Sequence, residues 1–254
     1  MPGASARRFH EPTVGVRMVA GRDRIALCGR LDRILEHAHA TPAVVVGIDG
    51  PLRFVAGRAH ASRAALLAPG FAHAVDTSSG RIAVFLLPPD RRSGQGGSGQ
   101  GLAPIADLPR ADRWIEMGSA VLDGTLGGFD AVDRELGSTI RPLDDRILRV
   151  LEALEHNLED NVPIESIAAS VRLSPSRLMA LTRAELGTSL RKYRRWLRAF
   201  EVARAFAEGA TLTEAALAAG FASSAHLAVA AREQFGIRPS DILRPEHRAL
   251  IRRS

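Results

Sequence analysis

Ile167-Ala168-Ala169-Ser170-Val171-Arg172-Leu173-Ser174-Pro175, followed by Leu178, Arg183 and Leu186-Gly187, returns about one long helix later. The second copy reads Ala215-Ala216-Leu217-Ala218-Ala219-Gly220-Phe221-Ala222-Ser223, followed by Leu227, Arg232 and Phe235-Gly236. The copies align with a single one-residue insertion. Each reads as a short apolar helix, a turn of three to four residues and a second helix, which is the helix-turn-helix pattern. One such unit is a common accident of helical sequences. Two in register are not, and the alternative, a pair of amphipathic hairpins from an ordinary bundle, does not require that register.

The packing logic agrees. The two helices of such a unit cross closely, so the contact position is small, and Ala168 and Ala216 fill it. Four residues on, the chain turns sharply, and Gly220 takes a positive φ at no steric cost. The first copy has Arg172 there, which implies local strain or a different turn. Ser174-Pro175 supplies an N-cap and a proline at the first helical position, and Ser223 or Ser224 caps the counterpart.

Between the copies, Leu190, Tyr193, Leu197, Phe200, Ala203 and Ala207 recur at helical spacing and stop at Gly209. A helix from Ser189 to Ala207 is roughly 29 Å long at about 1.5 Å per residue. One turn of B-DNA is about 34 Å, so two reading helices so separated suit successive major grooves. Arg191, Lys192, Arg194, Arg195 and Arg198 open this helix. Each alone reads as part of a solvated face; clustered between two DNA-entering units, they are expected to meet phosphates. Net charge agrees: from Val171 onward there are fifteen basic against seven acidic residues, while the whole chain is only +6.

The strings "LSPSRLMALTRAELGTSLRKYRRWLR" and "LTEAALAAGFASSAHLAVAAREQFG", with the closing "IRPSDIL", resemble the DNA-binding region of the AraC/XylS family of bacterial transcription regulators over about Leu143 to Leu243. The resemblance implies a two-unit DNA reader of seven helices behind an N-terminal effector or dimerisation domain. It also implies that relatives present Arg, a bidentate reader of guanine, at the positions held here by Ala180 and Val229. Base readout is therefore expected from Ser176, Arg177, Met179 and Arg183, with Ser223, Ser224, His226 and Arg232 on the second helix, and with apolar contacts to thymine methyls replacing some hydrogen bonds.

The N-terminal part differs. Short β-branched runs at Thr13 to Ala20, Arg24 to Cys28, Ala43 to Ile48, Leu52 to Ala56, Ala65 to Leu67 and Ile82 to Leu87 are separated by turn signals such as Asp49-Gly50-Pro51 and Pro69-Gly70. They suggest a small antiparallel barrel or jelly roll. "EHAHATPAVVVGIDGPLRF" and "ALLAPGFAHAVD" resemble a cupin domain. Cupins often hold a metal on a His-x-His string, a following Glu and a later His. His37, His39 and His73 fit the histidine positions, but no Glu or Asp follows His39 before Asp49, so no metal or other cofactor is expected and the three histidines read as packing or hydrogen-bonding around a pocket mouth; zinc, nickel or iron held by the imidazoles alone, with water completing the shell, is the alternative.

Cys28 is the lone cysteine, which excludes an intramolecular disulfide and fits a reducing compartment; it reads as a small buried hydrophobe, with a redox sensor as the alternative. No secretory signal or run of about twenty apolar residues is seen, so a cytoplasmic location without a membrane span is expected. "RRSGQGGSGQG" from Arg91 to Gly101 reads as flexible. Arg110 to Leu122 and Phe129 to Leu136 read as amphipathic helices whose stripe through Trp114, Ile115, Met117 and Val121 serves dimerisation or covers the barrel. Leu143 to Leu158 opens the DNA module as a core-facing helix.

The expected fold is α+β: a cupin-like β domain over 1–90, a linker over 91–103, a helical connector over 104–140 and an all-α double helix-turn-helix domain over 141–254, its two units joined by a long helix. The expected function is a non-enzymatic transcription regulator that binds double-stranded DNA, answers a small-molecule effector, forms a homodimer and has RNA polymerase as a candidate partner. A protein-interaction adaptor with degenerate DNA readout, or a cupin metalloenzyme, are the other readings.

Overall fold

The short β-branched runs pair into two sheets. In chain order they are β1 (Arg17–Ala20), β2 (Ile25–Gly29), β3 (Ile34–His37), β4 (Ala43–Gly47), β5 (Leu52–Ala56), β6 (Arg58–Ser62), β7 (Ala64–Leu67), β8 (His73–Asp76) and β9 (Ile82–Leu86). Short strands β10 (Arg91–Arg92), β11 (Ile105–Asp107), β12 (Thr139–Ile140) and β13 (Ile251–Arg253) complete the set among the described residues. The computed structural model describes residues 15–20, 24–31, 34–89, 91–92, 104–126, 129–137, 139–140, 142–158, 162–244 and 251–253. The glycine-rich stretch expected as a linker lies, beyond Arg92, outside these residues, as does the start of the first expected strand.

The larger sheet has the order β11-β7-β4-β9-β2-β1-β13, antiparallel except for the β1–β13 pair; the smaller runs β3-β8-β5-β6 and is antiparallel throughout. Every residue of β2, β4 and β9 is buried. Such runs lack polar alternation because both faces of the larger sheet are covered. Val44, Val46, Ala83, Phe85 and Cys28 face one cluster, with Trp114, Val121 and Val132. Ala43, Val45, Val84 and Leu86 face another, shared with Leu52, Phe54 and Val75 of the smaller sheet.

Helix α1 (Ala111–Asp123) closes the first face. Trp114 and Val121 are fully buried there, and the Trp114 ring meets Phe85 edge-on at 6.0 Å. Of the two uses open to this stripe, covering the sheet is the one that the fold employs. Helix α2 (Asp130–Leu136) is tied to the sheet by Arg24, whose guanidinium donates to Asp133 at 2.9 Å and lies over the Phe129 ring. Cys28 is wholly buried, and burial pushes its thiol up to about 12, so it behaves as a small apolar side chain.

Seven helices follow among the described residues: α3 (Asp145–His156), α4 (Ile164–Ser170), α5 (Pro175–Leu186), α6 (Leu190–Ala207), α7 (Leu212–Ala218), α8 (Ser224–Phe235) and α9 (Pro239–Ile242). Their starts are set by local chemistry. Ser174 accepts from the Arg177 amide with Pro175 in the first turn, Ser189 caps α6, and Thr211 forms a reciprocal capping box with Glu214. Ser223, rather than Ser224, caps α8.

The α4–α5 and α7–α8 pairs are the two helix-turn-helix units. Both turns place one residue in the left-handed region, Arg172 at φ 57 and Gly220 at φ 79. At Gly220 a side chain would also be crowded, since a Cβ would lie 3.0 Å from the Leu158 carbonyl and 3.1 Å from the Arg198 guanidinium. Arg172 is exposed, so its unit tolerates the side chain but carries the strain. Arg172→Gly should therefore stabilise the chain by about 0.5–1 kcal/mol, the left-handed cost less the added unfolded-state entropy of glycine. Urea unfolding of the two forms measures it, and an unchanged or lower midpoint would refute it.

Candidate functional site

Helix α5 buries Leu178, Thr182 and Leu186 and exposes Ser176, Arg177, Met179, Ala180 and Arg183. Helix α8 buries Leu227, Ala230, Ala231 and Gln234, and exposes His226, Val229 and Arg232 behind the exposed cap Ser223 and a half-buried Ser224. Aligned on Gly187 and Gly236, Arg177 matches His226, Ala180 matches Val229 and Arg183 matches Arg232. The two outward rows therefore have one backbone geometry and different chemistry. The first carries two guanidinium groups. The second has Arg232 near its far end, and His226, whose ring packs edge-on against Phe221 at 5.4 Å and whose Nδ1 accepts from the Ala222 amide at 3.4 Å. That leaves the His226 Nε2 as a donor. Met179 and Val229 are 54% and 52% exposed, which is apolar surface where helix capping and core packing require none.

The basic cluster opening α6 divides into two groups. Arg191 is exposed and Lys192 half-buried. Arg194 donates to the Val162 carbonyl at 3.0 Å, Arg195 pairs with Glu233, and Arg198 is buried and donates to the Leu158 carbonyl at 2.9 Å. The expectation that all five meet phosphates is thus corrected for Arg198, which fastens the α3–α4 connection to α6. Arg194 does part of the same work while keeping donors in the groove that it lines with Arg191, Arg195 and His226.

Behind the reading helices lies a seam with the β domain. Strand β3 is an edge strand; its Leu35 amide, and the Ala38 amide just beyond it, donate to the Gly236 and Glu233 carbonyls at the end of α8, at 2.9 and 3.1 Å. A Cβ at Gly236 would lie 2.4 Å from the Leu35 carbonyl and 2.7 Å from His37 Nδ1. The equivalent glycine of the first unit, Gly187, abuts the β domain too: a Cβ there would lie 3.3 Å from the Pro69 ring. Both reading helices therefore end, at matching C-caps with φ 69 and 70, against the β domain. Sequence reading used these glycines only as matching positions of the repeat; their recurrence in both copies was the available signal.

Between these two contacts, an apolar cavity of about 100 Å³ runs from the inner faces of both sheets to α6, α8 and α9, lined by Leu27, Val84, Trp196, Phe200, Leu227 and Ile242 among others. Its polar wall is His37, His39 and His73, whose ligating atoms lie within 4.8 Å of one another. His37 Nδ1–H donates to the Leu35 carbonyl at 2.8 Å and His73 Nδ1–H to the Phe71 carbonyl at 3.0 Å, so both Nε2 atoms carry lone pairs. His37 Nε2 is 3.2 Å from His39 Nε2, and the buried His73 Nε2 has no partner among the described residues. Burial, reinforced by the neighbouring His73, holds His37 down to about 3; burial likewise keeps His39 well below, and His73 below, the ordinary histidine range. All three are neutral at pH 7. Sequence reading took these residues together as a pocket mouth, with a shared metal ion as the alternative.

The family model described as a helix-turn-helix domain matches residues 167–245. No characterised protein matches the chain significantly in sequence. Among solved structures, ToxT from Vibrio cholerae O395 superposes with a TM-score of 0.57 at 13% identity, over 90% of this chain and 95% of that one. ToxT from Vibrio cholerae strain SCE256 with an unsaturated fatty acid bound gives 0.53 at 11%, over 90% and 93%. A transcriptional regulator with an AraC-type DNA-binding domain from Chromobacterium violaceum is 26% identical over 41% of this chain and 93% of its own, with a TM-score of 0.38. No helix among the described residues is long and apolar enough to cross a membrane. The chain thus carries a helix-turn-helix domain over residues 167–245, behind an antiparallel β-sheet domain, in a fold like that of ToxT.

Proposed function

We propose that the chain is a sequence-specific transcription regulator, not an enzyme, that lays α5 and α8 into the major groove of double-stranded DNA and answers a small apolar effector. The observation that carries this reading is the pair of exposed, register-matched rows on α5 and α8. Ser176, Arg177, Met179, Ala180 and Arg183 read bases in the first half-site, with Arg177 and Arg183 as the long donors. Ser223, Ser224, His226, Val229 and Arg232 face the second, where Val229 offers only contact with thymine methyls. Arg191, Lys192 and Arg194 hold phosphates.

The effector reading is supported by the cavity. Ligand pockets are commonly about 300–1,000 Å³, so a cavity of about 100 Å³ admits a larger molecule only by parting its walls, which belong to both domains. Effector entry then moves the seam, and with it the presentation of α8. Structures of ToxT hold an unsaturated fatty acid and a naphthalenyl butenoic acid, and this chain's cavity wall is as apolar as such molecules require. Gel shifts on selected and random duplexes across a salt series test the assignment. Phosphate-driven binding weakens steeply with salt, whereas an adaptor without DNA readout shows no shift at any salt.

Two substitutions give sharper outcomes. Arg183→Ala should cost about 1–3 kcal/mol on the preferred site and much less on random DNA; equal losses on both would reduce Arg183 to a phosphate contact. Val229→Arg should tighten binding generally and add a new base preference about one helical turn (about 34 Å) from the first half-site. Randomised-site selection with both proteins decides it, and strong selectivity of the unsubstituted chain in that second half-site would sink the reading of α8 as a poor base reader.

A further inference from the structure

We propose that the cavity at the seam takes a compact, uncharged molecule bearing one hydroxyl, a phenol or small alcohol rather than a carboxylate, and that His73 receives the hydroxyl proton. This rests on the effector reading above and names the chemical class of the guest. The protons of the three imidazoles carry it. His37 and His73 each spend their one N–H on a carbonyl, that of Leu35 and that of Phe71. The 3.2 Å contact between His37 Nε2 and His39 Nε2 then takes its proton from His39, because two facing lone pairs would repel. His39 is therefore the Nε2–H tautomer, and its buried Nδ1 is a lone pair without a partner among the described residues. The neighbouring Gln234 backbone does not meet hydrogen-bond geometry with that atom. His73 Nε2 is in the same state on a side chain that is 1% exposed. Every imidazole proton is thus committed, and two buried acceptors remain.

Such a wall selects for a donor. No Asp, Glu, Lys or Arg lines the cavity among the described residues, and besides the histidines its one nitrogen- or oxygen-bearing side chain is Trp196. A buried carboxylate needs a cation or about two to three N–H donors. Here it would meet lone pairs and at most one indole N–H. Burial, with no acidic neighbour on the wall, also opposes charging a ring to receive it. A hydroxyl brings the proton that a buried acceptor lacks, and its apolar body suits the rest of the wall. Water would supply the proton but leave the apolar remainder unfilled. Size sets the other limit. An apolar cavity of about 150 Å³ holds a benzene ring, so about 100 Å³ suits one small ring or a short chain before the walls part.

The acceptor is fixed in place. Phe71 lies nearly parallel to the His73 ring at 5.7 Å while its carbonyl holds Nδ1, so Nε2 has one direction. His73 follows the Pro69–Gly70 turn that meets Gly187 at the end of α5, and the Gly70 amide donates to the His39 carbonyl at 2.8 Å. His37 lies on the strand that meets Gly236 at the end of α8. A guest on His73 is therefore seated where both docking segments converge.

The test uses the full chain near neutral pH with phenol, cyclohexanol, toluene and benzoate as probes. Calorimetry should show stoichiometric binding of phenol or cyclohexanol, the pair deciding between an aromatic and an aliphatic body, and none of benzoate. Imidazole nitrogen resonances of the free chain should report Nδ1–H tautomers for His37 and His73 and the Nε2–H tautomer for His39. The hydroxyl-bearing probe, and not toluene, should shift His73 Nε2. In folded His73→Leu the preference for the hydroxyl probe over toluene should fall by about tenfold, with circular dichroism reporting the fold. Should that variant unfold, the resonances of the unsubstituted chain decide. Benzoate binding as tightly as the hydroxyl probes, a proton already on His73 Nε2, or a preference unchanged in folded His73→Leu overturns the hydroxyl assignment and leaves an effector cavity standing. Failure of every probe to bind a chain that still shifts DNA overturns the effector reading, and this assignment with it, while DNA binding stands.

Discussion

The structure depends on one exchange of hydrogen bonds. An edge strand presents unpaired amides, and a helix C-terminus presents carbonyls without intrahelical partners. At β3 and α8 each meets the other's need, through the Leu35 and Ala38 amides on the Gly236 and Glu233 carbonyls. Breaking either contact returns an edge amide and a helix-end carbonyl to the unpaired state that each element leaves by itself. The edge is thereby protected from pairing with another chain, and the second reading helix is anchored at the end away from its exposed cap. Glycine at 236 is obligatory because a side chain would collide with the Leu35 carbonyl and the His37 ring.

Around that exchange the apolar core is continuous. Met18, Leu27, Val45 and Val84 of the larger sheet, Phe54 and Val75 of the smaller, and Trp196, Phe200, Leu227 and Ile242 of the helical region belong to one cluster. Domain contacts within a chain are ordinarily small and polar, and domains then move freely. Here the contact is apolar and shared, so the helical region and the β domain are mechanically coupled. A change of volume or charge in the cavity is felt by α6 and α8, which provide its wall. That coupling is the physical content of an effector response, a shift between two arrangements of one seam.

The two helix-turn-helix units show how a duplicated backbone accommodates divergent chemistry. Left-handed turns, serine caps and glycine ends recur in both, since these set geometry. The outward rows have separated: Arg177 against His226, Ala180 against Val229. Thr182 and Gln234 have meanwhile been recruited inward; the Gln234 amide donates to the Lys192 carbonyl at 2.8 Å and joins α8 to α6.

What the sequence by itself determined is what short-range physics encodes. The repeat, the cap at Ser174, the left-handed turn at Gly220, the length of α6 and the apolar strands β2, β4 and β9 follow from residue type and period within a few positions, whereas the choice of Ser223 over Ser224 as the α8 cap came from the fold. Strands β3, β6 and β8 did not, because their runs are short and polar, and β3 and β8 pair only with partners distant in the chain. The outward rows of α5 and α8 were legible, since helical period fixes which side chains share a face. The fate of Arg198 was not, since an exposed and a buried arginine look alike in sequence, and only the Leu158 carbonyl opposite it decides. His37, His39 and His73 were visible as types, but their convergence needed β3 beside β8. Gly187 and Gly236 became docking points only once Pro69 and Leu35 were brought against them, a long-range contact that no local pattern records.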